Sequence, residues 1–139
     1  MNDENNIERF VEAQNNPWAG YDLALAEIEG GRKKSHWIWY IFPQLRGLGH
    51  SRRSHFYGIA DRKEAKNYLA HPVLGPRLRE ISEALLANTN KSAVAILGEI
   101  DTQKVKSCMT LFDCISPNDI FSDVLDSFYN GERDNKSIV

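Results

Sequence analysis

Between Arg32 and Tyr57 the chain reads RKKSHWIWYIFPQLRGLGHSRRSHFY, a stretch with six of the 17 Lys and Arg residues, three of the four His, two of the three Trp and no Asp or Glu. Arg32, Lys33, Lys34, Arg46, Arg52 and Arg53 offer the charge-assisted donors that phosphate oxygens accept. Trp37, Trp39, Tyr40 and Tyr57 offer flat faces on which a base can stack. Cations without local acids, interleaved with aromatic rings, point to a pocket for an anionic small molecule. The competing reading is that the indoles are core and the cations pair with acids from elsewhere in the chain.

Other residues could add chemistry. His36 lies between the basic run and the two indoles, where a near-neutral titration suits acid–base work or a phosphate contact; a backbone-bonded, half-buried imidazole is the plainer alternative. The turn from Gly47 to Ser51 can form an anion-binding nest beside Arg52, or be only a turn. His36, His50 and His55 lack the close spacing of a helical zinc site, and Cys108 and Cys114 lie far from them in sequence, so no metal or cofactor is expected. Cleaving a glycosidic bond or phosphoester needs a carboxylate, and the acid-free stretch has none. Glu12 and Glu27 precede it; Asp101 and Asp126 come much later. Glu27, beside Ala24 and Ile28, has the position on its helix that allows partial burial. Asp101, Lys104 and Ser107 share one helical side, as a site or as an ordinary solvated face. The residues nominated for catalysis are therefore Glu27 and His36, and those for ligand binding Lys34, Trp37, Trp39, Arg46, Ser51, Arg52 and Tyr57.

The elements that must position these groups read as helices throughout. Ile7, Phe10, Val11 and Gln14 recur at helical spacing before Pro17, and Tyr21, Leu25 and Ile28 mark a second helix ended by Gly30 and Gly31. HWIWYIF is apolar nearly all round and fits a buried strand or helix; its helical surroundings favour a helix, with Ser35 as N-cap and Pro43 as limit. Asp61 and Glu64 form a capping box for a helix closing at His71. Leu74, Leu78, Ile81 and Leu85 make the next stripe. Ser92 caps a short helix ended by Gly98, and Asp101 caps another carrying Val105, Cys108 or Met109, Phe112 and Ile115 inward. After Pro117 a last helix gathers Phe121, Val124, Leu125 and Phe128 before Gly131. The expectation is a single all-α domain over 1–139 with seven or eight short helices and frayed ends at 1–6 and 132–139.

Bulk properties narrow the function classes. Formal net charge is −2 over 139 residues, but residues 30–60 carry six positive charges, so the remainder sums to −8. Nucleic acid is a possible partner of that segment, though nothing global demands it. The two cysteines stand six apart on different faces of one helix, too far round for a disulfide, and are expected as reduced thiols. MNDENNIERF has no basic start or apolar run of a signal peptide, and no apolar stretch approaches about 18 residues, so a cytoplasmic protein without membrane spans is expected. Oligomeric state is not legible.

FVEAQ (Phe10 to Gln14), the run from Tyr21 to Ser51, YGIADRKEAKNYLAHPVLGPRL (Tyr57 to Leu78) and DTQKVKSCMTLF (Asp101 to Phe112) resemble the bacterial family known as domain of unknown function 1810. That resemblance implies an all-α fold and no settled activity. In order of elements, Lys106, Met109, Phe112, Phe121, Leu125 and Gly131 are also similar to the NADAR superfamily, which implies NAD and ADP-ribose chemistry, including N-glycosidic hydrolysis. The combined expectation is a phosphorylated nucleoside or ADP-ribose-like ligand, with N-glycosidic or ADP-ribosyl hydrolase activity if the protein is an enzyme. The alternative is a non-enzymatic domain that docks a protein or nucleic acid through residues 32–57.

Overall fold

A computed structural model describes residues 4–139 as nine α-helices and one 3-10 turn: α1 (Glu8–Gln14), α2 (Tyr21–Glu29), α3 (Ile38–Ile41), α4 (Arg52–Phe56), α5 (Arg62–Ala70), α6 (Leu74–Leu86), α7 (Ala93–Leu97), α8 (Glu99–Ile115), α9 (Ile120–Tyr129) and the turn Asn135–Ser137. The only pairing of extended backbone among these residues is an isolated parallel bridge between Leu45 and Ile59. The all-α expectation holds.

The long stripes form the centre. Leu74, Leu78, Ile81 and Leu85 put one face of α6 into the core, and Val105, Cys108, Met109, Leu111 and Phe112 do the same for α8. α9 closes against both with Phe121, Val124 and Leu125; α2 and α5 flank α6, and α7 lies on α8. Both Cys108 and Met109 are inward, and burial pushes the Cys108 thiol well above its ordinary pKa. Neither cysteine is in a disulfide.

Helix ends follow local chemistry, with exceptions at the focal segment. Ser92 Oγ accepts from Ala95 N (3.1 Å), and Asp61 Oδ1 accepts from Glu64 N (2.9 Å). Glu64 reaches back to Ala60 N (2.9 Å) rather than to Asp61, and its carboxylate also receives Arg9. Ser35 does not cap α3: its hydroxyl donates to Glu27, and the helix starts later and spans only Ile38–Ile41. Asp101 does not cap α8, which already begins at Glu99 after Gly98.

The C-terminal residues differ from the frayed tail expected. Asp134 Oδ2 accepts from Ser107 (2.7 Å) and Ser137 (2.6 Å), and Asp134 N donates to Thr110 Oγ1 (3.0 Å), so the 3-10 turn is tied along α8 with Ser137 fully buried. At the other end, residues 1–3 lie outside the described chain, whereas Asn6 and Glu4 are bonded: Asn6 Oδ1 accepts from Glu8 N, and Glu4 O accepts from Arg46.

Candidate functional site

The loop between α2 and α3 is organised by one carboxylate. Glu27 Oε1 accepts from Lys34 N (2.8 Å), Ser35 N (2.9 Å) and Trp37 Nε1 (2.9 Å), and Oε2 accepts from Ser35 Oγ (2.6 Å). Desolvation pushes its pKa up, but the hydrogen bonds from Ser35, from the Lys34 and Ser35 amides and from Trp37 outweigh it and hold the group near 2, against an ordinary 4.5. Glu27 is an ionised anchor with both oxygens already engaged, a poor fit to general-acid work. Trp37 is fully buried beneath this knot.

Anchoring the loop in this way places Lys33 beside α8. Lys33 N donates to Ile96 O (2.7 Å), its ammonium donates to Ser35 O (2.6 Å), and the same ammonium lies 2.8 Å from Asp101 Oδ2. Lys104, one turn along α8, approaches Asp101 Oδ1 at 3.3 Å. Each lysine stands over an indole: Lys33 Nζ is 4.9 Å from the Trp37 ring and Lys104 Nζ is 4.2 Å from the Trp39 ring. The acid-poor segment is thus partly neutralised, by a carboxylate more than sixty positions later.

Two adjoining hollows meet at Trp39 and Lys104. The smaller, about 170 Å³, is lined by Lys33, His36, Ile38, Trp39, Arg53, Asp101 and Lys104. The larger, about 430 Å³, is lined by Trp39, Gln44, Leu48, Gly49, Ile100, Gln103, Lys104, Ser107, Asp134 and Lys136. A third, open depression of about 570 Å³ continues past Lys33 and His36 to Leu97, Gly98, Glu99 and Ile100. Three lysine or arginine side chains and an imidazole face one carboxylate in the small hollow, while the large one combines an apolar floor with amides and a hydroxyl.

The nominated residues separate accordingly. His36 and Trp39 line the groove; His36 is exposed, and its ring has no hydrogen-bond partner among the described residues. Trp37 is core, and Tyr57 stacks on Tyr40 with centroids 5.2 Å apart. Arg46 is tied to the backbone of His55 (3.0 Å) and Glu4 (2.7 Å). Ser51 caps α4 through Ser54 N (3.1 Å), so its hydroxyl oxygen is engaged. Lys34 and Arg52 are exposed outside the groove. The cations therefore do not all converge: Lys33 and Arg53 do, and Lys34, Arg46 and Arg52 do not. Sequence reasoning placed Asp101, Lys104 and Ser107 on one side of a helix but missed Gln44, Gln103, Asp134 and Lys136, whose place in the groove depends on how α3 and the tail pack on α8.

Among the described residues no group of three or more His, Cys, Asp or Glu is placed to hold a metal, and no helix is long and apolar enough to cross a membrane.

The family described as "Protein of unknown function (DUF1810)" matches residues 4–139. The chain belongs to DUF1810. A solved structure shares this fold: the conserved hypothetical protein Rv1873 from Mycobacterium tuberculosis, 40% identical, with a TM-score of 0.89 over 94% of this chain and 92% of that one. No curated protein matches. The likeness to that solved structure agrees with the all-α architecture seen here.

Proposed function

We propose that this protein binds a phosphorylated, ring-bearing small molecule of the nucleotide or ADP-ribose class in the groove across the start of α8. The observation that supports this most is the sharing of Trp39 and Lys104 by a small cationic hollow and a larger mixed one. A phosphate in the small hollow meets Lys33, His36, Arg53 and Lys104, where charge-assisted hydrogen bonds are strong. A ring or sugar in the larger hollow meets the Trp39 edge, Leu48 and Ile100, with Gln44, Gln103 and Ser107 as polar partners. Its volume of about 430 Å³ falls within the range of small-molecule sites. Asp101 keeps the two ammonium groups ordered before the ligand arrives, which lowers the entropic cost of arranging them.

N-glycosidic or ADP-ribosyl hydrolysis at this site would need a carboxylate inside the groove. Asp101 and Asp134 line it; Glu27 holds the loop behind it. The reading is tested by calorimetric titration of the full chain with ADP-ribose, AMP and adenosine. The phosphorylated ligands should bind and adenosine should bind less well. Lys104→Ala should weaken AMP binding about tenfold or more, the loss of one charge-assisted hydrogen bond, and Arg52→Ala should leave it unchanged. No heat from either phosphorylated ligand at millimolar concentration, or equal losses in both variants, overturns it. Binding of a nucleic acid in their place, weakening steeply with salt, would favour the docking reading.

A further inference from the structure

Arg77 of α6 is held unlike three other arginines. Arg9, Arg79 and Arg133 each meet a carboxylate, at 2.9–3.1 Å. Arg77 Nη1 instead donates to two amide oxygens, Gln14 Oε1 and Asn15 Oδ1, both at the long distance of 3.3 Å. The Tyr21 ring lies 5.0 Å from its guanidinium carbon. Gln14 is only 3% exposed, and its Nε2 donates to Tyr40 O (2.8 Å) and Tyr68 Oη (3.1 Å), so the oxygen it presents to Arg77 cannot swing away. A buried amide thus positions a guanidinium that has no carboxylate of its own among the described residues.

That guanidinium lines a hollow of about 300 Å³ which shares no residue with the groove. The wall is the tightly wound connection from α1 to α2. At Gly20 a Cβ would lie 2.2 Å from Asn16 O and 2.5 Å from Gln14 O, so only glycine lets the chain close there. Asp22 lines the same hollow, but the side-chain hydrogen bonds of Arg77 go to Gln14 and Asn15 and not to its carboxylate. A cation and an anion that share one recess without pairing leave room for a guest carrying both charges. We propose that the recess binds an α-amino acid, its carboxylate on the planar fork of Arg77 and its ammonium toward Asp22. Asn15, Asn16 and Leu23 then surround its side chain.

The test is a ¹⁵N–¹H NMR titration of the full chain with each proteinogenic amino acid and, for the best of them, with analogues lacking the amine or the carboxylate. At least one amino acid should give saturable shifts across residues 15–23 and at the Arg77 Nε–H, with Kd in the millimolar range or below. Either half-analogue should bind about tenfold more weakly, roughly the loss of one charge-assisted contact. Arg77→Lys keeps the charge but loses the fork and should weaken binding similarly. Asp22→Asn, at an exposed position that does not threaten folding, should reduce the amino acid to the affinity of its amine-free analogue. No saturable shift with any amino acid at about 10 mM, equal binding of the amine-free analogue, or undiminished binding by Asp22→Asn overturns the proposal.

Discussion

Glu27 and Arg9 show how much of this molecule rests on single charged groups that tie backbone and side chains of several segments together. Glu27 has a folded pKa of about 2 against an ordinary 4.5, so its contribution to stability is fully present above about pH 4.5 and is lost as pH falls toward 2. Glu27→Gln should therefore destabilise the protein by about 1–3 kcal/mol at neutral pH, the range for a buried donor left without its acceptor. In urea melts from pH 7 to pH 2.5, the gap between wild type and variant should stay constant above about pH 5 and shrink below it; a gap independent of pH would refute the anchor role. Arg9 has no exposed surface, and its five donors meet Glu64 twice, Phe56 O (2.6 Å), Gly58 O (2.8 Å) and Asn6 O (3.0 Å). Arg9→Met would leave the Glu64 carboxylate without its cation and three carbonyls without donors, and should cost about 3–5 kcal/mol by denaturant melts. Nothing local in the sequence marks Arg9, because its partners Phe56, Gly58 and Glu64 lie about fifty residues away.

At the scale of elements, the helices with regular stripes were legible and the ones shaped by tertiary bonds were not. α6, α8 and α9 stand where the spacing of Leu74 to Leu85, Val105 to Phe112 and Phe121 to Leu125 puts them, because burying one face of a helix needs only the right period. α3 was expected to run through Trp37, but the Trp37 indole and the Ser35 hydroxyl are drawn to Glu27, so the chain stays irregular until Ile38. The joint between α7 and α8 shows the same limit. Gly98 has φ 84° and ψ 162°, a conformation essentially confined to glycine, and it lets α8 start at Glu99 and present Asp101 to Lys33. Nothing lies within 4 Å of where a Cβ would stand, so Gly98→Ala isolates backbone strain from crowding. It should cost about 1–3 kcal/mol in thermal or denaturant melts; a neutral result would mean that the helix start can adjust without this residue.

For the whole molecule, the groove is a joint product of three distant parts: the segment from Lys33 to Arg53, which brings in His36, Trp39, Gln44 and Leu48, the first turns of α8, and the tail from Asp134 to Lys136. The cationic, aromatic character of the first part was visible in composition. Its convergence with Asp101 and Lys104 was not, because that depends on how the Glu27-anchored loop packs against α8. The tail was the least legible part, since its polar residues read as solvated, yet Asp134 receives Ser107 and Ser137 while Lys136 completes the wall of the larger hollow. Removing residues 133–139 tests this directly. If the tail is integral, the truncated chain should lose about 1–3 kcal/mol, because Ser107 and Thr110 lose their partner. For a chain of this size that shifts Tm downward by roughly 2–5 °C for each kcal/mol. Binding of ADP-ribose should weaken more than binding of inorganic phosphate, since the truncation opens the larger hollow and leaves Lys33, His36 and Arg53 in place. An unchanged Tm would show the tail to be detached in solution, and an unchanged ADP-ribose affinity would put its ring outside the hollow that Lys136 borders.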